Sequence, residues 1–163
     1  MSLASNESMM KGRGLNREEL DSFLKRPNLA RIATITSEGR PYVVPVGFYY
    51  DGEYIIMFLR QFSKTVESIR QNPFVAVNID CNATKAGDDG SRALIEGRAE
   101  IYDGDWYKLD DATNIKYFGS SPPTSEEERK KRPRLCVRVK LADSKVTSWT
   151  GYGWHPRYTR DSS

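Results

Sequence analysis

Apolar and polar residues alternate along several stretches of this chain, which is the pattern of β-strands with one buried face. In the clearest stretch, residues 92–101, the odd-numbered positions are small or apolar and most of the even-numbered ones are charged. Asp51-Gly52 stands between two other stretches and is a strong signal for a tight hairpin. Six strands are predicted, over residues 29–36, 41–50, 54–59, 74–80, 92–101 and 134–141. This pattern predicts a mainly β protein, a six-stranded antiparallel barrel that is closed or nearly closed.

Helical patterns are short and flank the strands. Asn16 is predicted to cap the first helix with Glu19 as its capping-box partner, and Pro27 ends that helix. Further helices are predicted over residues 64–72, 106–118 and 126–132, the last as a short solvated helix. Residues 1–14 have no periodicity and are predicted to be flexible, whereas residues 15–163 are predicted to form one domain with an aromatic and basic tail.

Composition narrows the class of protein. The 163 residues include 25 basic and 22 acidic ones, and the resulting charge of +3 is too small to predict a nucleic-acid-binding protein by itself. Cys81 and Cys136 have no metal-ligand spacing and are expected to be buried, reduced thiols. No apolar run approaches the ~20 residues of a membrane span, and no signal-peptide core is present. We therefore expect a soluble, cytoplasmic protein with no membrane association.

Two features between residues 41 and 73 are unusual for a purely structural hairpin. Pro45 and Gly47 interrupt the second strand, which indicates either an edge strand with a bulge or a group that approaches the backbone closely. Ser63, Lys64 and Thr65 stand at a predicted helix start, whose N–H groups and dipole suit a phosphate. A flat ligand over the strand, with its phosphate at the helix start, accounts for both features. The alternative is that Lys64 is simply an exposed residue of the first turn.

The sequence lacks the motifs of several common chemistries. His155 is the one histidine, so the chain offers no histidine-rich metal site and no standard Ser-His-Asp triad beyond what this residue could supply. No GxGxxG or Walker A motif is present, and the carboxylates show no acid–base spacing. No metal site is predicted. Any catalysis is expected to depend on a bound cofactor.

Short motifs between residues 28 and 102 resemble a known family in their order and spacing. They are Arg31–Thr34, Glu38–Tyr42, Val44–Val46, Ser63–Lys64, Asn72–Pro73 and Glu96–Glu100. Together they resemble the pyridoxamine 5′-phosphate oxidase-like, FMN-binding split barrels. Trp149 and His155-Pro156-Arg157 in the tail resemble the end of the oxidase more weakly.

The resemblance implies a six-stranded split barrel that forms a homodimer with FMN at the subunit interface. The cofactor-binding residues that it implies are Val44, Pro45, Val46 and Gly47 under the isoalloxazine ring, Phe58 and Leu59 beside it, Ser63, Lys64 and Thr65 at the phosphate, Arg92 towards the flavin, and Trp149 and Arg157 closing the pocket from the partner subunit. It singles out no catalytic residue.

The chain departs from the true oxidase at charged positions. Val44 and Tyr49 stand where the oxidase carries an arginine and a lysine that contact FMN, and Lys64-Thr65 stands where it carries Arg-Lys. Each charge-assisted phosphate bond is worth about 1.5–3 kcal/mol. The departures argue against pyridoxamine phosphate as the substrate and leave the broader family intact.

Three classes of function follow. The first is a flavoprotein oxidoreductase that uses FMN, or a deazaflavin in its place, on an unidentified small substrate. The second is a non-catalytic flavin or haem carrier, with His155 as the haem ligand. The third is a nucleic-acid-binding barrel that uses Trp149, Trp154, Arg157 and Arg160 of the tail. The mild net charge argues against the third class, so no nucleic-acid partner is expected.

Overall fold

The computed structural model describes residues 12–81, 89–104 and 106–151. Within these residues the strands are β1 (Arg13–Gly14), β2 (Ala30–Ile35), β3 (Pro41–Val46), β4 (Phe48–Tyr50), β5 (Tyr54–Arg60), β6 (Phe74–Asp80), β7 (Arg92–Tyr102), β8 (Arg134–Lys140) and β9 (Lys145–Thr150). The helices are α1 (Arg17–Lys25), α2 (Lys64–Gln71), α3 (Tyr107–Phe118) and α4 (Glu126–Lys130), and Leu141–Asp143 forms a 3₁₀ turn.

The strands form one curled antiparallel sheet in the order β3-β2-β6-β7-β8-β5-β4, and β9 pairs with both β7 and β1. The sheet curls because two chain segments change partners at a glycine. Val46 ends the pairing of β3 with β2, and after Gly47 the chain pairs with β5 instead. Strand β7 pairs with β9 up to Glu96 and with β6 up to Arg98, and from Ala99 onwards it pairs with β8. A side chain at Gly97 would collide with Ser144, because an added Cβ would lie 2.9 Å from the Ser144 Cβ.

The core fills the inside of this curled sheet. Helix α1 contributes Leu20, Phe23 and Leu24, and α2 contributes Val66 and Ile69. The strands contribute mainly β-branched residues, among them Ile32, Val77, Ile79, Ile95, Val137 and Val139. This arrangement is a split barrel, the fold class that the strand pattern and the resemblance predicted.

All six predicted strands are present, with two differences. The second predicted strand, residues 41–50, is divided into β3 and β4 at Gly47. The short strands β1 and β9 were not predicted. Strand β9 was missed because its inward-facing residue, Thr147, is polar although only 5% exposed. Strand β1 lies at the end of the segment predicted to be flexible, most of which falls outside the described residues.

The capping box that the sequence predicts at the start of the first helix is confirmed. The Asn16 side chain accepts a hydrogen bond from the Glu19 N–H, and the Glu19 carboxylate accepts one from the Asn16 N–H, both at 2.9 Å. Cys81 and Cys136 are buried, and no disulfide joins them. In the part of the chain that the structure describes, no helix has the length and apolar composition to cross a membrane.

Candidate functional site

The start of α2 has the features of an anion-binding helix end. Ser63 is the N-cap, and its hydroxyl oxygen accepts a hydrogen bond from the Val66 N–H at 3.3 Å, so the hydroxyl proton can still be donated to a ligand. The N–H groups of Lys64 and Thr65 belong to the first turn, which has no intrahelical acceptors for them. Lys64 is exposed, and its ammonium lies 5.4 Å from the centre of the Tyr42 ring on β3. The predicted phosphate ligands therefore lie beside the start of β3.

Strand β3 leads from that helix start to the break at Gly47. Val44 and Val46 pack against the core, while Val43 and Pro45 are exposed on the other face. At Gly47 an added Cβ would lie 3.2 Å from the ring of Tyr117 on α3. The close approach that this glycine indicates is thus made by an aromatic side chain of the same chain.

Two polar side chains fasten α3 to the strand break. The Tyr117 hydroxyl accepts a hydrogen bond from the Phe48 N–H at 2.9 Å and donates one to the Asn28 carbonyl at 2.8 Å. The Lys116 ammonium donates to the carbonyls of Phe48 and Leu24 at 3.0 and 3.2 Å, and it lies 3.4 Å from the centre of the Phe48 ring. The contacts to Phe48 satisfy backbone groups at the break, those to Leu24 and Asn28 satisfy carbonyls beside it, and together they hold α3 over the break.

Burial of Lys116 in this position affects its charge. Loss of water lowers the pKa of its ammonium to about 7, whereas the two carbonyls and the ring face favour the charged form and oppose this effect. A lysine in the unfolded chain titrates near 10.4. Between these pH values the unfolded chain binds more protons than the folded one, so stability rises with pH.

Replacing Lys116 by methionine is expected to remove this pH dependence. Between pH 7 and 8.5 the wild type should gain stability relative to Lys116→Met, by less than the ~1.4 kcal/mol per pH unit that one titrating group can contribute. Urea unfolding of both proteins across this range measures the difference. Above pH 9 the raised pKa of Cys136, about 12, lowers stability in both proteins equally. If the free energy of unfolding changes with pH in the same way in both proteins, the lowered pKa of Lys116 is contradicted.

A cavity of about 510 Å³ lies between α3 and the ends of β3, β5 and β8, and we call it the α3 cavity. One face of α3 lines it with Asp110, Thr113, Asn114, Tyr117 and Phe118. The opposite wall consists of Leu29, Val46, Gly47, Phe58, Arg60 and Arg134. Three of the predicted cofactor residues, Val46, Gly47 and Phe58, therefore line a cavity of the size that small-molecule sites have.

A buried carboxylate organises the charged end of this cavity. Asp110 is 2% exposed, and its carboxylate lies 3.4 Å from both Arg132 and Arg134 and 3.8 Å from Arg129. Arg129 also pairs with Asp111 at 2.5 Å and is only 5% exposed. The sequence predicts α4 as a short solvated helix, and this is corrected for Arg129, whose buried guanidinium pairs with these two carboxylates.

Other predicted site residues lie elsewhere. Leu59 and Thr65 are 6% and 3% exposed, so their side chains are buried and only the Thr65 N–H remains suitable for a phosphate. Arg92 lies opposite Trp149 in the register of β7 and β9, with its guanidinium 5.9 Å from the centre of a Trp149 ring. Strands β2 and β6 separate this pair from β3 by three strand spacings, about 14 Å. Arg157 lies outside the described residues, as do His155, Trp154 and Arg160.

Sequence reasoning missed the contribution of α3. Its cavity-lining residues recur at positions i, i+3, i+4, i+7 and i+8, but they are mixed in polarity and give no apolar periodicity. Nothing in the sequence pairs Gly47 with Tyr117 or Arg129 with Asp110. The one readable signal was Gly47, which indicated a close approach without identifying its partner.

Comparisons with known proteins agree with this fold. The chain is similar to a conserved hypothetical protein from Mycobacterium tuberculosis (20% identity over 83% of this chain and 85% of that one, TM-score 0.70). It is also similar to an F420 reductase (21% identity over 77% of this chain and 94% of that one, TM-score 0.60). A third similar structure is an FAD- and haem-binding protein from Mycobacterium smegmatis (19% identity over 85% of this chain and 73% of that one, TM-score 0.66). At these identities the likeness shows the fold. No curated protein matches the sequence.

The sequence itself matches a family model. Residues 17–147, which include α1, strands β2 to β8 and the α3 cavity, match the model of pyridoxamine 5′-phosphate oxidase. The match covers most of the chain, in agreement with the motifs that suggested this relationship. The chain therefore belongs to the pyridoxamine 5′-phosphate oxidase family of split barrels.

Proposed function

We propose that this protein binds a flavin, with FMN as the first choice, for two-electron oxidation or reduction of a small organic substrate. The observation that carries the proposal is that a helix start suited to phosphate, marked by Lys64, lies beside Tyr42 at the start of β3. When bound, the flavin would exchange the electrons, and the protein would supply its position and electrostatic surroundings.

The two ends of a flavin mononucleotide would be held by different elements. The Ser63 hydroxyl, the Lys64 ammonium and the first N–H groups of α2 would hold the phosphate. From Tyr42 to Gly47 the strand covers about 16 Å at ~3.3 Å per residue. The ring would then lie along Val44–Gly47, next to the α3 cavity.

We further propose that the protein is a homodimer with the cofactor at the interface. Val43 and Phe74, on the outer face of the sheet, are 57% and 59% exposed, and Ile35 is 39% exposed. Contiguous apolar surface of this kind is typical of protein interfaces. A site that combines the Lys64 group of one copy with Arg92 and Trp149 of the other would explain why one chain keeps the two groups apart.

A charge on the outer face should weaken the dimer. Val43→Glu is expected to raise the dimer dissociation constant by about tenfold or more, because each copy would bury a carboxylate without a partner. Sedimentation equilibrium measures this constant, and FMN affinity should fall with it. Ile115→Glu is the matched control, since Ile115 is 54% exposed on α3. Equal dissociation constants for the two variants would argue against this interface.

Two other cofactors are alternatives within the proposal. F420 is a deazaflavin, and the similarity to an F420 reductase favours a deazaflavin in the same place. The FAD- and haem-binding protein supports a second function, a non-catalytic carrier. Haem iron is commonly held by a single histidine, and His155, the one histidine of the sequence, is therefore the candidate haem ligand.

Titration of the purified protein with FMN, FAD, F420 and haem tests the choice of cofactor. Saturable quenching of FMN fluorescence at one flavin per chain is the expected result. Tighter binding of F420 or haem would replace FMN in the proposal. A protein that takes up none of the four would contradict it.

A further inference from the structure

We infer that the α3 cavity binds a small planar molecule bearing a carboxylate, which Arg60 and Arg134 hold. This inference rests on the proposed flavin function, because Val46 and Gly47 belong both to the cavity wall and to the stretch on which the flavin ring is placed. A molecule in this cavity would lie beside that ring. The inference therefore names the class of substrate: planar, largely apolar carboxylic acids.

The first observation is a pair of like charges placed directly opposite each other. Arg60 and Arg134 are partners in the register of β5 and β8, and both line the cavity. Like charges directly opposite in a sheet are destabilising unless an anion lies between them. Arg134 is held 3.4 Å from the Asp110 carboxylate, whereas no described residue forms a hydrogen bond or ion pair with the Arg60 side chain.

The second observation is the charge balance at this end of the cavity. The guanidinium groups of Arg129, Arg132 and Arg134 pair with the carboxylates of Asp110 and Asp111. Arg60, opposite Arg134, adds a fourth positive charge, which leaves an excess of two. Guanidinium groups bind carboxylates in a planar, two-pronged geometry. The excess of positive charge favours an anion. The flat, two-pronged geometry of the two opposed guanidinium groups selects a carboxylate as that anion.

The third observation is the apolar remainder of the wall. Phe118 and Leu29 are 77% and 49% exposed and line this same cavity, so they form exposed apolar surface in one place. With Phe58 and Val46 they give the cavity apolar surfaces at a distance from the arginines. The volume of about 510 Å³ suits a molecule of two or three fused or linked rings.

Binding of 2-naphthoate to the flavin-free protein, measured by calorimetry, tests the inference. The wild type is expected to bind it more tightly than the neutral 2-naphthamide. Arg60→Gln should weaken 2-naphthoate binding by about tenfold or more and leave 2-naphthamide binding unchanged. Arg70→Gln is the control, since Arg70 is also exposed but lies on α2, away from the cavity. Equal melting temperatures would show that both variants fold.

The outcomes separate this inference from the proposed flavin function. Equal naphthoate affinities for Arg60→Gln and Arg70→Gln, or no naphthoate binding up to millimolar concentration, would overturn the inference and leave flavin binding untouched. Tighter binding of 2-naphthyl phosphate than of 2-naphthoate would overturn the choice of a carboxylate. Because the probe is measured without flavin, a failure of flavin binding would not alter the result.

Discussion

Replacing Asp110 by asparagine is expected to lower the free energy of unfolding by about 3–5 kcal/mol, the cost of removing one partner from a buried ion pair. The carboxylate is 2% exposed and lies within 3.4 Å of Arg132 and Arg134, and Arg129 beside it is also buried. Asparagine keeps the shape of the side chain but leaves these guanidinium groups without their shared counter-charge. Urea denaturation measures the loss.

The control for this substitution is Glu127→Gln on α4. Glu127 pairs with Lys131 at 3.1 Å, but both side chains are more than two-thirds exposed, and such a pair contributes about 0–1 kcal/mol. A similar, small loss in both variants would mean that the Asp110 cluster does not organise this end of the α3 cavity.

Replacing Lys64 by alanine is expected to weaken FMN binding roughly 10- to 100-fold, because a charge-assisted phosphate bond contributes about 1.5–3 kcal/mol. The fold should be unaffected, since the Lys64 side chain is exposed and Ser63 still caps α2. Fluorescence titration with FMN measures the affinity. Arg70→Ala, in the last turn of the same helix, is the matched control.

Riboflavin makes this test specific to the phosphate. It carries the same ring without a phosphate, so Lys64→Ala should bind it as tightly as the wild type does. If the substitution weakens FMN and riboflavin equally, Lys64 acts on the ring or on the fold, and the phosphate assignment fails.

Most of the fold could be predicted because its signals are local. Alternation along β7, the Asp51-Gly52 turn and the Asn16–Glu19 capping box each depend on residues a few positions apart. Strand β9 could not be predicted, because its buried position is taken by the polar Thr147. The burial of Arg129 could not be predicted from the sequence either, because it depends on carboxylates of a different helix, Asp110 and Asp111 of α3.

The candidate site could be predicted only in part. The helix start at Ser63 and Lys64 follows from capping chemistry and is where the sequence placed it. Gly47 was recognised as a point of close approach, but the group that approaches it comes from Tyr117, 70 positions further along the chain. Such long-range pairs leave no periodic trace in one sequence. The α3 cavity and its opposed arginines therefore required the three-dimensional structure.

The visible absorption spectrum of the freshly purified protein, followed by the mass of any chromophore that denaturation releases, tests the central claim most directly. We expect a yellow protein with flavin absorption bands that releases FMN. A haem spectrum would contradict the flavin assignment and favour the carrier function. A colourless protein that also fails to take up added FMN or F420 would contradict a redox function altogether.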